Sequence, residues 1–236
     1  MTSIKSTARL AGIMYLTMAV MNVISFAGVF GHFVVPGDPA ASVRQITEHE
    51  FAYRIAILND FVAHILFLAV VVTLYDLFVD IERRLALLMV VFVVVPVAMQ
   101  LGSLADRLAP LSLLRNPDYL SAFTQPQRDS VAQAFLGLHS NAGSLAMPFW
   151  GLWLFPFGCL AIKSRYFPRV LGILLLVAGV GYLGTGLTSL VFPDRLGAVS
   201  KVMMPLYFGE IPIVFWLAIM GARQPRDAAR AAPLVA

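Results

Sequence analysis

One cysteine, Cys159, stands in 236 residues. A single thiol can form neither an intrachain disulfide nor a thiolate metal cluster. Near the inner end of an apolar run, it reads as a small packing residue. Charge is scarce as well. Only 13% of residues are Asp, Glu, Lys or Arg, against roughly a quarter in soluble domains. The formal net charge of +4 comes from basic residues at the ends of apolar runs. They form no single stripe, so the charge points to membrane orientation and away from nucleic acid. Catalytic signatures are missing too: there is no H-E-x-x-H, no paired C-x-x-C, no P-loop and no G-x-S-x-G. No metal site is expected.

What the chain has is apolar sequence in long blocks. Hydrophobic residues make up 59% of it, and mean hydropathy is +0.82. A spanning helix needs about 20 apolar residues. Six stretches qualify: about Leu10–Phe33, Arg54–Phe78, Leu85–Ala105, Val131–Ile162, Val170–Phe192 and Val202–Met220. Proline, glycine and charge mark their ends. The first run exceeds the 7–15 residues of a signal-peptide core, and no convincing small-x-small cleavage site follows it; it reads as a retained span. The expected fold is all-α, a bundle of six transmembrane helices. Residues 1–222 form one domain, and 223–236 form a basic tail, expected to be disordered.

An even number of spans puts both termini on one side. That side carries Lys5, Arg9, Arg83, Arg84, Lys163, Arg165, Arg169, Arg223, Arg226 and Arg230. The opposite loops hold Arg44, Arg54, Arg107, Arg115, Arg128, Arg195 and Lys201, are longer and share their charge with acids. Lys and Arg favour the cytoplasmic face, so both termini are expected in the cytoplasm.

The stretch Ser130–Tyr182 organises the rest. It reads as a transmembrane hairpin with a cationic turn at Lys163–Arg169. Pro148 and Pro156 should bend its first helix. Its second helix contains Gly179-Val-Gly181-Tyr-Leu-Gly184, a formal G-x-G-x-x-G. That pattern needs a preceding strand and a soluble context to bind a dinucleotide, and here it lies inside an apolar run. Gly172, Gly179 and Gly186 recur every seven residues, so they share one helix face and suit close helix packing. In the outer loops, Ser42–Glu50 has helix-forming character, and Thr124 is a candidate cap for a helix starting near Pro126. Trp150, Trp153 and Trp216 read as interfacial anchors.

Ionisable groups inside spans are costly and are functional candidates by default. Asp60 and His64 stand four apart on one helix face. They read either as a carboxylate–imidazole pair that binds a proton, cation or polar ligand, or as an internal packing bond. Glu210 lies between Pro205 and Pro212, and proline-broken helices often line sites. His139 sits beside a small-polar stripe of Gln133, Gly137, Ser140 and Ser144. Asn59 and Gln100 are further polar candidates, equally readable as interhelical bonds. Asp60, His64, Gln100, His139 and Glu210 all fall at mid-depth or in the outer half, which predicts a polar pocket opening outward. His64 and His139 are of a kind that ligates haem, but no other haem signal accompanies them and no cofactor is expected.

Several blocks look familiar together. They are the opening Ser6-Thr-Ala-Arg9-Leu-Ala-Gly-Ile-Met-Tyr15, the block Tyr53-Arg54-Ile-Ala-Ile-Leu-Asn-Asp60 and the tripeptide Leu138-His139-Ser140. The run Phe149-Trp150-Gly151-Leu152-Trp153-Leu-Phe-Pro156-Phe-Gly158 continues through Phe167-Pro168-Arg169-Val-Leu-Gly172 to Gly179-Val-Gly181-Tyr182. Together these resemble the bacterial membrane-protein family catalogued as domain of unknown function DUF4386. The resemblance implies a bacterial inner-membrane protein with several spans and assigns no catalytic residue. Three functions stay open. One is a non-catalytic module that binds or senses a small hydrophobic or cationic ligand. Another is a proton-coupled transporter using Asp60 and Glu210. The third is an intramembrane enzyme on a lipid-like substrate with His139 or His64 as base. The expected partner is the lipid bilayer, not nucleic acid, and a homo-oligomer is compatible with all three.

Overall fold

The computed structural model describes residues 3–25, 31–115 and 120–223. The regular elements among the described residues are all helical: α1 Ile4–Val23, α2 Gly31–Phe33, α3 Pro39–Glu48, α4 Glu50–Phe78, α5 Arg83–Leu114, α6 Gln125–Leu152, α7 Leu154–Ser164, α8 Arg169–Val191, α9 Leu196–Tyr207 and α10 Ile211–Ile219. Short 3-10 turns at Pro193–Arg195 and Phe208–Glu210 lead into α9 and α10. The chain is an all-α polytopic membrane protein. Among the described residues five helical stretches are long and apolar enough to cross a bilayer: Glu50–Phe78, Arg83–Leu113, Gln125–Ser164, Arg169–Val191 and Pro193–Ile219. They coincide with the second to sixth expected spans. The first expected span starts within α1 and runs through residues 26–30, which lie outside the described residues, as do residues 224–236 of the expected tail.

Exposed apolar side chains run the length of these helices. On α4 they include Leu58, Phe61, Val62, Ile65 and Val72; on α8 they include Val170, Ile173, Val177, Val180 and Leu187. Such faces are what a lipid-solvated helix presents, since its backbone is satisfied internally and its surface meets hydrocarbon.

Local chemistry explains the ends and breaks. Asp38 caps α3 by accepting from the Ala41 N–H at 2.9 Å, and Pro39 opens the helix. The Gln127 side chain accepts from the Thr124 N–H at 2.8 Å, the reciprocal half of a capping box at the start of α6. The long fourth span is interrupted once, at Trp153, between α6 and α7. Pro156 stands four residues beyond Leu152, so it cannot donate to that carbonyl and its ring crowds it. Pro148 stays inside α6. The sixth span breaks into α9, the turn Phe208–Glu210 and α10, with Pro205 and Pro212 on either side of the turn.

The chain folds as two compact units. One comprises Met1–Leu16, Phe67–Val95 and Met147–Ala236; the other comprises Thr17–Leu66 and Pro96–Ala146. The second unit has a small core of Phe33, Ile46, Tyr53, Ile57, Leu111 and Leu136. Ile46 brings the buried face of α3, with Ala41, Ser42 and Val43, down onto it.

The first unit is built on α8. Its heptad of glycines meets the preceding hairpin arm, as the spacing predicts. A Cβ at Gly172 would lie 2.7 Å from the Gly158 carbonyl oxygen, one at Gly179 3.1 Å from that of Gly151, and one at Gly186 2.7 Å from Pro148. A second glycine edge serves α9: a Cβ at Gly181 would lie 3.0 Å from the Met203 carbonyl oxygen. Trp153 packs beneath the first seam, fully buried and stacked on Phe157 at 5.3 Å. It is therefore a core residue, correcting its expected role as an interfacial anchor. A Cβ at Gly151 would meet the Gly179 oxygen and the Leu183 nitrogen, both at 2.7 Å and both rigid backbone. Gly151→Val should therefore cost about 3 kcal/mol or more. Gly137→Ala, where an added methyl meets nothing within 4 Å, should be neutral or stabilising by up to about 1 kcal/mol. Thermal unfolding of the two variants in detergent checks both signs.

Candidate functional site

The unit containing Thr17–Leu66 and Pro96–Ala146 holds five of the six candidate residues. Asp60 is buried on α4, and its Oδ2 lies 3.1 Å from the Arg107 guanidinium on α5. Both side chains are largely withdrawn from the surface, at 12% and 14% exposure. Arg107 was expected in an outside loop. In fact α5 continues to Leu114, more than two turns past the end of its apolar run, and carries Arg107 inward as an ion-pair partner. The Tyr53 hydroxyl donates to the Arg107 carbonyl at 2.9 Å, fixing the same turn of α5.

That pairing redirects His64. Its Nδ1 lies 2.7 Å from the backbone carbonyl of Asp60. The Asp60 carboxylate turns to Arg107 instead, which corrects the expected carboxylate–imidazole pair. His139 on α6 places Nδ1 3.0 Å from the Ser103 carbonyl and 3.1 Å from Ser103 Oγ. Ser103 Oγ in turn donates to the Gln100 carbonyl at 2.9 Å. Arg107 and Asp60 are both close enough to act electrostatically on His139. Asn59 donates to the Met21 carbonyl at 2.9 Å and to Ser25 Oγ at 2.6 Å, tying α4 to the chain around α1. It is interhelical packing of the kind its position allowed. The Gln100 side-chain oxygen is buried with no hydrogen-bond partner among the described residues.

The sixth candidate, Glu210, builds a cluster within the other unit. It ends the turn Phe208–Glu210 and immediately precedes α10. A negative group there is favoured by the N-terminal end of the helix dipole. Gly209 positions the turn, because a Cβ there would run into the Leu174 carbonyl of α8. The Tyr15 hydroxyl of α1 donates to the Glu210 carboxyl, and Tyr182 of α8 hydrogen-bonds the same group. Tyr182 stacks on Tyr207 with centroids 4.1 Å apart and planes 3° from parallel. The Tyr207 hydroxyl continues the chain to Thr185 Oγ1 at 2.6 Å. Tyr15 itself is fully buried, with Trp153 and Phe67 rings 5.9 and 6.1 Å away.

Glu210 was singled out as a candidate from its two prolines. Its phenolic partners were missed. The signal for them was present, since Tyr15 and Tyr182 are hydroxyl-tipped residues inside apolar runs. A buried tyrosine hydroxyl in hydrocarbon requires an acceptor. Among the described residues no group of three or more His, Cys, Asp or Glu is arranged to hold a metal ion.

The two acids differ chemically. Asp60 has a cation beside it, whereas Glu210 is held by neutral donors. Removing one partner of a buried ion pair costs about 3–5 kcal/mol, while replacing both by apolar groups of similar size is often neutral or stabilising. Asp60→Leu alone and Arg107→Met alone should each destabilise strongly, and the double variant should recover most of the loss. A double-mutant cycle of unfolding in detergent measures this.

The family model for the domain of unknown function DUF4386 matches residues 10–221. A protein of Archaeoglobus fulgidus, described as uncharacterized, is 36% identical over 75 residues, which cover 32% of this chain and 43% of that protein. The match thus spans less than half the length of that relative. No solved structure matches the chain.

Proposed function

This chain belongs to the DUF4386 family, and from that premise we propose that it is a non-catalytic membrane module that binds a small cationic ligand at Glu210. One observation carries the reading. Among the described residues, the Glu210 carboxyl is held by the phenols of Tyr15 and Tyr182 and has no ion pair with Lys, Arg or His. A carboxyl solvated by neutral donors has negative charge to offer when ionised. By contrast, Arg107 already neutralises Asp60. The polar cluster expected to open outward around Asp60 and His139 is thus occupied by its own ion pair, and the binding role passes to Glu210.

Position supports this further. Glu210 stands at the break between α9 and α10, so its charge state bears on how the two segments are held. That is what a sensor needs: a local electrostatic change coupled to an element with more than one arrangement. We place the chain in the cytoplasmic membrane of a bacterium, with six spans and both termini in the cytoplasm. The support is the distribution of Lys and Arg among the loops. The exposed apolar helix faces make the lipid bilayer its principal partner. The broken sixth span also favours a second reading, a proton-coupled carrier, because discontinuous helices recur at transport sites.

The test uses the detergent-solubilised protein and a series of tetraalkylammonium ions. They should raise its unfolding temperature, and Glu210→Gln should abolish the shift. Tyr15→Phe should weaken binding roughly tenfold, the loss of one hydrogen bond to a charged group. Equal stabilisation of wild type and Glu210→Gln would refute the assignment of the site. Ligand-driven proton flux in liposomes, lost in Glu210→Gln, would replace the sensor reading by the carrier reading.

A further inference from the structure

A second site lies where the start of α1 meets the end of α10, and nothing in the Glu210 reading depends on it. The two ends touch closely. Gly221 closes α10 with φ +68°, donating to the Trp216 and Leu217 carbonyls, a left-handed glycine cap. A Cβ at Gly221 would lie 2.7 Å from the Lys5 carbonyl and 3.1 Å from Arg9 Cγ. Arg9 donates through Nε and an Nη to the Ile219 carbonyl at 3.1 and 2.9 Å, so a guanidinium covers the negative end of the α10 dipole. Past the cap, the Arg223 N–H donates to the Tyr166 carbonyl at 3.0 Å, and the Arg223 guanidinium lies 5.1 Å over the Trp216 ring.

These contacts leave a cavity of about 460 Å³ lined by Lys5, Trp216, Met220, Ala222 and Arg223. Among the described residues the lining holds two cations and no carboxylate, and Arg9 adds a third positive charge at the helix end. The Trp216 indole N–H is buried with no hydrogen-bond partner among the described residues. The remaining walls are apolar, and the exposed side chains of Phe215, Ile219 and Met220 continue that surface along α10.

We propose that this cavity binds the phosphate of an anionic phospholipid headgroup, seated between Lys5 and Arg223 on the Trp216 ring, with an acyl chain lying along Ile219 and Phe215. Cations at a helix end beside an exposed apolar stripe meet both halves of such a lipid. A free phosphate would use only the first half. An oxygen of the headgroup, reaching the ring edge, supplies the acceptor that the Trp216 N–H lacks.

The experiment is native mass spectrometry of the full chain in detergent, titrated with short-chain phosphatidylglycerol, phosphatidylcholine or inorganic phosphate. One phosphatidylglycerol should bind preferentially. Lys5→Gln/Arg223→Gln should bind it roughly thirtyfold more weakly, about one fivefold factor for each charge removed near a lipid phosphate. Arg83→Gln/Arg84→Gln, which removes two exposed charges from the start of α5 on the same expected face, should bind as wild type does. Trp216→Phe keeps the apolar body and should weaken binding without abolishing it. Equal loss in both double variants would overturn the site in favour of general surface attraction. Equal binding of phosphatidylcholine would overturn the anion preference, and saturation by inorganic phosphate at the same site would overturn the lipid. Unfolding temperatures of the variants identify any that fail to fold, and for such a pair the single Arg223→Gln variant decides by the same criteria.

Discussion

Close backbone approach along α8 is the constraint on which the first unit depends. In hydrocarbon, helices gain little from burying apolar side chains against one another, because the lipid is equally apolar. What remains is van der Waals fit and a few hydrogen bonds. α8 provides the fit on two edges. Gly172, Gly179 and Gly186 admit the backbone of Gly158, that of Gly151 and the ring of Pro148. Gly181 admits Met203 and Leu206, while Gly209 of the facing turn presses onto Leu174. With both edges in place, Tyr182 stands beside Gly181 within reach of Glu210, and Tyr207 lies flat against it. The polar cluster is thus a consequence of the glycine seams. A side chain at any of these positions would separate the helices before it disturbed a hydrogen bond.

Hydrogen bonding then does what packing alone cannot. A tyrosine at position 15 and another at position 182 would each be an expense in a purely apolar seam, since an unsatisfied hydroxyl in hydrocarbon costs several kcal/mol. Both end on one carboxyl. The broken sixth span puts that carboxyl in place: an unbroken helix from Leu196 to Ile219 would carry Glu210 mid-helix, away from the start of α10 and its dipole. The prolines at 205 and 212, the glycine at 209 and the acid at 210 therefore work as one device, spread over eight residues.

Much of this was readable in advance, and the exceptions have physical reasons. Five spans, the glycine heptad, the α3 helix and the helix start near Thr124 follow from periodicity and proline placement. Arg107 did not, because an apolar count ends a span where hydropathy ends, whereas α5 continues through Asp106 and Arg107 to Leu114. Spacing on one helix suggested that Asp60 faces His64; a cation on the neighbouring helix outcompeted it, and no single-helix pattern carries that information. The tyrosines were hidden for a related reason. Composition counts them as aromatic, and only tertiary contact shows that their hydroxyls meet the Glu210 carboxyl. Trp153 shows the reverse error, since amphipathic character suggested an interface where the ring in fact stacks on Phe157 and lies tilted against Tyr15 in the core.

The same chain thus solves the problem of a buried acid in two ways, and the difference separates scaffold from site. Pairing with Arg107 leaves Asp60 with no net charge to offer, and removing that negative charge would strand the guanidinium. Such a pair resists change and suits a fixed joint between α4 and α5. Two phenols stabilise a carboxylate by dipoles alone, and as hydroxyls they can rotate to accept from a protonated carboxyl as readily as they donate to an ionised one. The Glu210 cluster can therefore change charge without leaving an opposite charge stranded. That property, and not depth in the membrane or proximity to a helix break alone, is why we propose the ligand-dependent role for Glu210 and not for Asp60.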